Sequence, residues 1–374
     1  MARPLKAEID LDALRHNFDI AAGLAPDSRS MAVIKADAYG HGALACARAL
    51  TPKAPAFGVA SIEEARALRE AGIETPLLLL EGIFEARELE IVDSLDLWQV
   101  IHSDWQIEAL FAYTPRRALT VWLKLDSGMH RLGFSPEAFP SRWRQLSRAT
   151  DRVANLHLIS HFASADHGDT QQFDAQQETV VRLGRALDAP LCVANSPATL
   201  VKPQSHGAWN RPGVMLYGVN PVDPSVAASP LESLRPVMTL RSKLIAIQAV
   251  DGGEPVGYGG RFCTGRATRI GVVAAGYGDG YDRHAPDGTP VLVDGRRCRL
   301  AGRVSMDMLT VDLSDHPDAR VGSDVTLWGH GLPVDEVAKH CDTIAYTLLT
   351  GLLPRVPRHY WQGSTGETLA EREH

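Results

Sequence analysis

A lysine and two glycines in residues 32–42 (AVIKADAYGHG) first suggest chemistry in this chain. The apolar residues 32–34 predict a buried strand that ends at Lys35, although a surface lysine closing an edge strand is the alternative. Gly40 and Gly42 precede a helical run, so the backbone there can approach a ligand and the helix N-terminus can receive an anion. A lysine beside an anion site fits pyridoxal 5'-phosphate (PLP), whose carbonyl joins a lysine while its phosphate is held by amides.

Further reactive side chains follow strand-like runs elsewhere in the chain. They are Arg131 in KLDSGMHRLGF, His161 in LISHF, Ser196 in VANS and Arg211 in NRPGVMLYG. Each has a structural alternative: His161 as a hydrogen-bonded core histidine, Ser196 as a helix N-cap, and Arg131 as an ion-pair partner of Asp126. Because the carboxyl ends of barrel strands share one rim, these residues and the lysine together predict an active site.

The elements that must position these residues alternate between strand and helix. Apolar runs typical of strands lie at 31–36, 57–61, 77–81, 97–101, 121–125, 153–159, 191–195 and 213–218. Helical patterns separate them, for example at 62–71, 104–112, 136–148 and 170–187. Eight strands with intervening helices predict an α/β fold of the (β/α)8 TIM-like barrel type. A Rossmann-like sheet is disfavoured because no GxGxxG follows the first strand.

A second domain is predicted after residue 220. Residues 219–236 carry several prolines and small residues, which is typical of a linker. Short β-like runs separated by Gly/Asp turns follow, at 237–249, 268–275, 290–293, 298–304, 308–313 and 324–328. We therefore predict a PLP-binding barrel domain over 1–225 and a mostly β C-terminal domain over 226–374. The first few residues, with a short strand predicted at 4–10, are free to pack with the second domain.

Composition excludes several classes of protein. The 374 residues are 45% hydrophobic and 22% charged, as in an ordinary globular protein. The net charge of −7, without a dense run of lysine and arginine, argues against nucleic acid. The N-terminus has no signal-peptide pattern and no long uncharged apolar run occurs, so no membrane association and a cytoplasmic location are predicted. Five widely spaced cysteines without CxxC argue against disulfides and zinc, and no ligand spacing predicts another metal.

Nine motifs in order make the sequence resemble the alanine racemases over nearly its whole length. They are AVIKADAYGHG, KLDSGMHRLGF, SHFASAD, ANSPATL, NRPGVMLYG, VGYGGRF, GYGDGY, GRVSMD and LPRVPR. The resemblance implies a PLP-dependent isomerase of fold type III, in which a barrel is followed by a β domain. It would interconvert L- and D-alanine, either supplying D-alanine for peptidoglycan or degrading it.

The resemblance also implies a role for each matching residue. Lys35 would form the Schiff base with PLP and act as one base, and Tyr258 would be the base on the opposite face. The implied cofactor-binding set is Lys35, Tyr39, Arg131, His161, Ser196, Arg211, Gly213, Val214 and Tyr346. The implied substrate-binding set is Arg131, Tyr277, Met306 and Asp307.

Within these sets, finer assignments follow from the same resemblance. Tyr39, Ser196, Tyr346 and the amides of Gly213 and Val214 would hold the phosphate. Arg211 would face the pyridine nitrogen, with His161 linking it to Tyr258. Arg131 would contact the phenolic oxygen of the cofactor and the substrate carboxylate. Lys124 matches a lysine that many members carry as a carbamate, and its alternative is an ordinary lysine paired with Asp126.

Inverting a Cα centre requires a base on each face of a planar intermediate, which explains why both a lysine and a tyrosine are needed. Their unperturbed pKa values of about 10 must be lowered by nearby cations or desolvation. An arginine at the pyridine nitrogen stays protonated, so the ring nitrogen stays unprotonated and side reactions are suppressed. This argues against a PLP decarboxylase of the same fold.

The implied second base lies in the β domain of a neighbouring subunit, as does the Met306 segment, so a head-to-tail homodimer with shared sites is expected. Two other functions stay open. One is a racemase of broader amino-acid specificity. The other is a non-catalytic PLP-binding protein, although such proteins resemble the barrel alone and lack a β domain.

Overall fold

The computed structural model describes residues 3–223, 226 and 233–362, together with the backbone of 367–369. The strands are β1 (Lys6–Asp10), β2 (Arg29–Ser30), β3 (Ala32–Val33), β4 (Phe57–Val59), β5 (Leu77–Leu79), β6 (Leu97–Ile101), β7 (Leu119–Lys124), β8 (Val153–Ile159), β9 (Leu191–Cys192), β10 (Trp209–Asn210), β11 (Met238–Val250), β12 (Pro255–Val256), β13 (Phe262–Cys263), β14 (Thr268–Val273), β15 (Pro290–Val293), β16 (Arg296–Leu300), β17 (Leu309–Asp312), β18 (Asp324–Trp328), β19 (Arg358–Gln362) and β20 (Glu367–Leu369). The right-handed helices are Leu11–Gly23, Ala43–Leu50, Ile62–Glu70, Leu89–Ser94, Asp104–Ala112, Phe139–Arg148, Gln171–Leu187, Ser196–Val201, Val334–His340 and Ala345–Thr350.

The parallel strands β2 to β10 close into the predicted barrel. The first strand position is split in two: β2 pairs with β10, and β3 pairs with β4. The other strands pair in sequence order around the ring, from β4 to β10. The (β/α)8 fold class predicted from the alternation of strands and helices is therefore confirmed.

The predicted eighth strand at 213–218 is wrong. That segment contains a 3-10 turn, Val214–Tyr217, and the eighth strand is the two-residue β10 that precedes it. Pro212 has no N–H to donate, and the amides of Leu216 and Gly218 bond to carbonyls three residues back. A short buried apolar run does not by its composition distinguish a strand from a turn.

One inward-facing layer of side chains fills the barrel and sets the height of the site above it. Its members are Met31, Ala56, Leu78, Val100, Trp122, Ile159, Cys192 and Trp209. Because side chains alternate along a strand, residues two positions further face the same interior, nearer the carboxyl ends. Trp122, Ile159 and Trp209 are thus followed on the inner face by Lys124, His161 and Arg211.

The β domain is built around an N-terminal strand. β1 pairs antiparallel with β11 and parallel with β19, within a sheet ordered β14-β17-β16-β15-β18-β11-β1-β19-β20. The N-terminal residues therefore belong structurally to this domain, while the helix Leu11–Gly23 leads into the barrel. The predicted boundary between 225 and 226 adjoins positions outside the described residues. In the described part of the chain, every helix is too short or too polar to cross a membrane.

Candidate active site

Lys35 opens a left-handed turn, Lys35–Gly40, directly after the first barrel strand. Ala36, Asp37, Ala38 and Tyr39 have φ values of 53°, 54°, 52° and 53°. For residues other than glycine this conformation costs roughly 1–2 kcal/mol each, so surrounding contacts must hold it.

Those contacts come from side chains on both domains. The ring nitrogen Nδ1 of buried His41 donates to the carbonyls of Ala38 and Tyr39, at 3.0 and 2.9 Å. Glu64 accepts the amide of Ala36 at 2.7 Å. Arg358 of the β domain donates to the Gly40 carbonyl at 3.2 Å. The turn that presents Lys35 is therefore fixed in place from several sides.

Four cationic side chains gather at the carboxyl ends of the barrel strands. Lys124 is only 9% exposed, and its pKa is lowered to about 8 by burial and then by the charges of Arg211, Arg131 and Lys35. Burial and the same cations hold the pKa of His161 well below its usual value, so its imidazole is neutral. Such a concentration of positive charge suits an anionic ligand.

Arg211 is 6% exposed, and among the described residues its hydrogen-bond acceptors are neutral. Its Nη1 donates to the carbonyl of Cys192 at 2.6 Å and to the Cys192 thiol at 3.1 Å. Its Nη2 donates to the carbonyl of Ser160 at 2.6 Å, and Nδ1 of His161 lies 3.3 Å away. A buried guanidinium without an anionic partner keeps its full charge for a ligand.

Ser196, Gly213 and Tyr39 form a cradle beside the lysine. The amides of Gly213 and Met215 donate to Ser196 Oγ at 2.8 and 3.3 Å, which leaves the Ser196 proton free to donate outward. A Cβ on Gly213 would lie 2.7 Å from the Tyr39 hydroxyl oxygen, so glycine is required there. The Gly213 amide, predicted to hold phosphate directly, is engaged by Ser196 in this structure.

Val214 and Tyr346 complete this cradle. Val214 follows Gly213 at the start of the 3-10 turn, and its backbone amide is the neighbouring donor. The Tyr346 ring lies 5.9 Å from the Tyr39 ring, centroid to centroid. Burial and then the charge of Asp166 raise the pKa of Tyr346 to about 12, so its phenol is protonated and can donate a hydrogen bond.

The predicted residues of the β domain lie apart from these groups on the surface of the chain. Tyr258 is 70% exposed, Met306 is 54% exposed and Tyr277 is 36% exposed. The amide of Tyr277 donates to the carbonyl of Ser305, which joins the 277 and 306 segments. Asp307 pairs with Arg355 at 2.7 Å. Tyr258, Tyr277 and Met306 are thus exposed side chains of the β domain.

The structure does not contain the structural alternatives named above for Ser196, Arg131 and Lys124. Asn195, not Ser196, caps the helix Ser196–Val201 by accepting from the Ala198 amide at 3.1 Å. Asp126 accepts from His130 and from loop amides rather than from Arg131 or Lys124. Arg131 is exposed at the rim.

Sequence reasoning missed Cys192, Glu81, Glu64 and the structural role of His41. Cys192 contacts Arg211, and Glu81 is the carboxylate whose charge opposes the lowering of the Lys124 pKa. Both follow or end barrel strands, and that position was the one signal able to single them out.

Together, the fold and the site define a two-domain barrel enzyme with a lysine and a cationic, anion-receiving centre at the carboxyl ends of its strands. The model of the family "Alanine racemase, N-terminal domain" matches residues 9–221, and that of "Alanine racemase, C-terminal domain" matches residues 237–360. The chain belongs to the alanine racemase family, as the sequence motifs predicted.

Individual relatives match nearly the whole chain. An alanine racemase of Chromohalobacter salexigens is 62% identical, with 98% of this chain and 100% of that one covered. A catabolic alanine racemase of Pseudomonas aeruginosa is 52% identical, with 96% and 99% covered. The crystal structure of biosynthetic alanine racemase from Pseudomonas aeruginosa superposes with a TM-score of 0.92 at 49% identity, covering 96% and 99%.

Proposed function

We propose that this chain interconverts L- and D-alanine by a two-base mechanism with PLP as cofactor. The observation that carries the proposal is the fixed Lys35 turn facing a buried cluster that contains Lys124 and Arg211. An aldehyde that carries a phosphate needs both an amine and an anion site, and the two occur here side by side.

The residues present fit the phosphate of PLP. Ser196 can donate its hydroxyl proton outward, and the phenols of Tyr39 and Tyr346, whose ring centroids lie 5.9 Å apart, are further donors of the cradle. Glycine at position 213 lets the backbone approach the Tyr39 hydroxyl, which a Cβ would meet at 2.7 Å. Ser196, Tyr39, Tyr346 and the Val214 amide would therefore hold the phosphate.

Bound PLP supplies an electron-accepting ring that acidifies the Cα–H bond of an amino acid joined to it. Lys35 Nζ takes or returns the Cα proton on one face, and Tyr258 Oη does so on the other. Arg131 binds the substrate carboxylate and orients Cα between the two bases. Arg211 would lie at the ring nitrogen as a cation that gives no proton to it, which would limit side reactions.

In this proposal, the second base comes from another copy of the chain. Tyr258 and Met306 are exposed in the β domain, on a different part of the chain from Lys35. A head-to-tail homodimer would place this face over the partner's barrel rim and exclude water from both sites. Each site would then contain Lys35 of one subunit and Tyr258 of the other.

A cytoplasmic location is also part of this proposal. The five cysteines are free thiols, as a reducing compartment would keep them.

Reconstitution with PLP tests the cofactor and the lysine. The wild-type protein should gain the visible band that PLP acquires on joining an amine, and should convert L-alanine to the D form. Lys35→Ala should lose both properties. Lys53→Ala removes an exposed lysine that pairs with Asp19 and should keep both. A Lys35→Ala protein that still racemises alanine would refute the assignment.

Tyr258→Phe tests the two-base mechanism. Loss of a positioned acid–base group costs about a hundredfold or more in rate, so racemisation should fall by at least that factor. Deuterium exchange at Cα, followed by NMR, should fall for one enantiomer of alanine far more than for the other, because Lys35 still serves one face. PLP binding should be unchanged. Equal exchange of both enantiomers would contradict the mechanism.

A racemase of broader specificity is the second candidate, because Met306 and Tyr277 are the side chains that would set pocket size and both are exposed in the single chain. A panel of L-amino acids assayed for loss of optical activity separates the two functions. Turnover of larger amino acids at rates comparable to alanine would favour the broader function.

A further inference from the structure

Cys192 is a buried thiol of the barrel that the mechanism above does not use. It ends β9 in the inner layer of the barrel and is fully buried. Its carbonyl oxygen and its sulfur both accept from the same nitrogen of Arg211, Nη1, at 2.6 and 3.1 Å. Cys192 therefore accepts two hydrogen bonds from one end of the guanidinium.

Hydrogen bonds at both ends of the guanidinium fix the orientation of Arg211. A guanidinium has five N–H groups in one rigid plane. The two on Nη1 point to Cys192, and Nη2 is occupied by the carbonyls of Ser160 and, at 3.5 Å, Val193, and by Nδ1 of His161. Among the described residues, the structure records hydrogen bonds from both Nη atoms and none from Nε. Because the group is planar, fixing both terminal nitrogens fixes the direction of the Nε–H bond.

The hydrogen bonds to Cys192 also leave the charge of Arg211 uncompensated. Burial raises the pKa of the Cys192 thiol even beside Arg211, so the sulfur is a neutral acceptor. The other partners are carbonyl oxygens and a neutral imidazole. A carboxylate at this position would instead form a buried ion pair and take up much of the positive charge.

We infer that Cys192 is a positioning residue for Arg211, which aims the Nε–H bond at the ring nitrogen of bound PLP without neutralising the guanidinium. The inference rests on the proposed function. It identifies the thiol as one of the groups that hold the direction of the guanidinium, and as an acceptor that leaves the charge of the arginine uncompensated.

Three substitutions of Cys192 separate these two effects. Cys192→Ser keeps a neutral acceptor, so turnover should stay within about threefold of wild type. Cys192→Ala removes the contact to a charged group, so kcat should fall about tenfold while KM for alanine changes little. Cys192→Asp adds a compensating charge. It should increase transfer of the alanine amino group to PLP, measured as released pyruvate, relative to racemisation.

The absorption spectrum of bound PLP is the measurement that would stay unchanged if the role of Cys192 were only structural. It should shift in the Ala and Asp variants and stay at the wild-type position in Cys192→Ser. Cys298→Ala is the matched control, because Cys298 is a buried thiol of β16 in the β domain. Its spectrum and product ratio should equal those of wild type.

The outcomes of these experiments test the proposed function and the role of Cys192 separately. If wild-type protein fails to bind PLP or to racemise alanine, the proposed function is wrong. If wild type does both, and Cys192→Ala matches Cys298→Ala in spectrum, kcat and pyruvate yield, only the role of Cys192 is refuted. Should the Asp variant not fold, the Ala and Ser variants still decide the question.

Discussion

Lys124 has surroundings that constrain its chemical state. Its amine is buried among Arg211, Arg131 and Lys35, and Glu81 supplies the opposing charge. A pKa of about 8 leaves part of the amine neutral near pH 7.5, and a neutral amine can add carbon dioxide. The resulting carbamate would be an anion, which would replace repulsion of Arg131 by attraction.

We therefore predict that Lys124 is carbamylated in the native enzyme. Protein equilibrated with 13C-bicarbonate near pH 8 should show a carbamate resonance by NMR, and native mass spectrometry should show the added mass of carbon dioxide. Lys124→Ala should lose the signal and raise KM for alanine about tenfold, because Arg131 loses its anionic partner. Lys53→Ala should retain the signal. A wild-type protein with an unmodified Lys124 would contradict the prediction.

At the residue scale, the sequence is most informative where a side chain follows a strand. Lys35, His161 and Arg211 are predicted in this way, because period-two alternation along parallel strands fixes which residues face the barrel interior. Cys192 is not predicted, because its significance depends on Arg211, which lies 19 positions away in sequence. A thiol in an apolar strand reads from sequence as an ordinary core residue.

At the element scale, the left-handed turn is the feature that sequence reasoning could not foresee. Gly40 and Gly42 indicate a turn, but nothing in Ala36–Tyr39 indicates left-handed backbone, since that conformation is disfavoured for each residue alone. Tertiary contacts decide it. Asp37, for which no role is predicted, accepts the Ala43 amide at 2.8 Å and so caps the next helix.

The contribution of His41 to this turn predicts a pH dependence of stability. Burial lowers the pKa of His41 to about 4, from an ordinary value near 6.5. Unfolded chains take up this proton below about pH 6.5 and the folded protein does not until about pH 4, so stability is lost as pH falls through that window. Between pH 7.5 and 5.5 this single group should cost on the order of 1 kcal/mol.

His41→Asn keeps an N–H donor near the two carbonyls and removes the titration. The drop in melting temperature of the PLP-loaded enzyme between pH 7.5 and 5.5 should therefore be smaller in this variant than in wild type. His157, whose pKa is also lowered to about 4, is common to both proteins and cancels in the comparison. His284→Asn removes an exposed histidine and should leave the drop unchanged. Equal drops in wild type and His41→Asn would refute the prediction.

At the scale of the whole molecule, the order of the motifs predicts the architecture. Each of the two domains carries one of the two proposed bases. The barrel carries Lys35 and the cationic cluster, and the β domain carries Tyr258 and Met306 on an exposed face. Exposed aromatic and thioether side chains of this kind are typical of an interface. No pattern within one sequence specifies how two copies align, because their contacts depend on surface shape rather than on local spacing.

Heterodimers with one defective base in each subunit test the shared site directly. We predict that a Lys35→Ala chain paired with a Tyr258→Phe chain, isolated through two different tags, regains about half of the wild-type activity per dimer. One of its sites combines an intact Lys35 with the partner's intact Tyr258, and the other site lacks both. Each homodimer of the parent variants should be nearly inactive. If both bases instead came from the same chain, every site of the heterodimer would lack one base, and mixing would restore nothing.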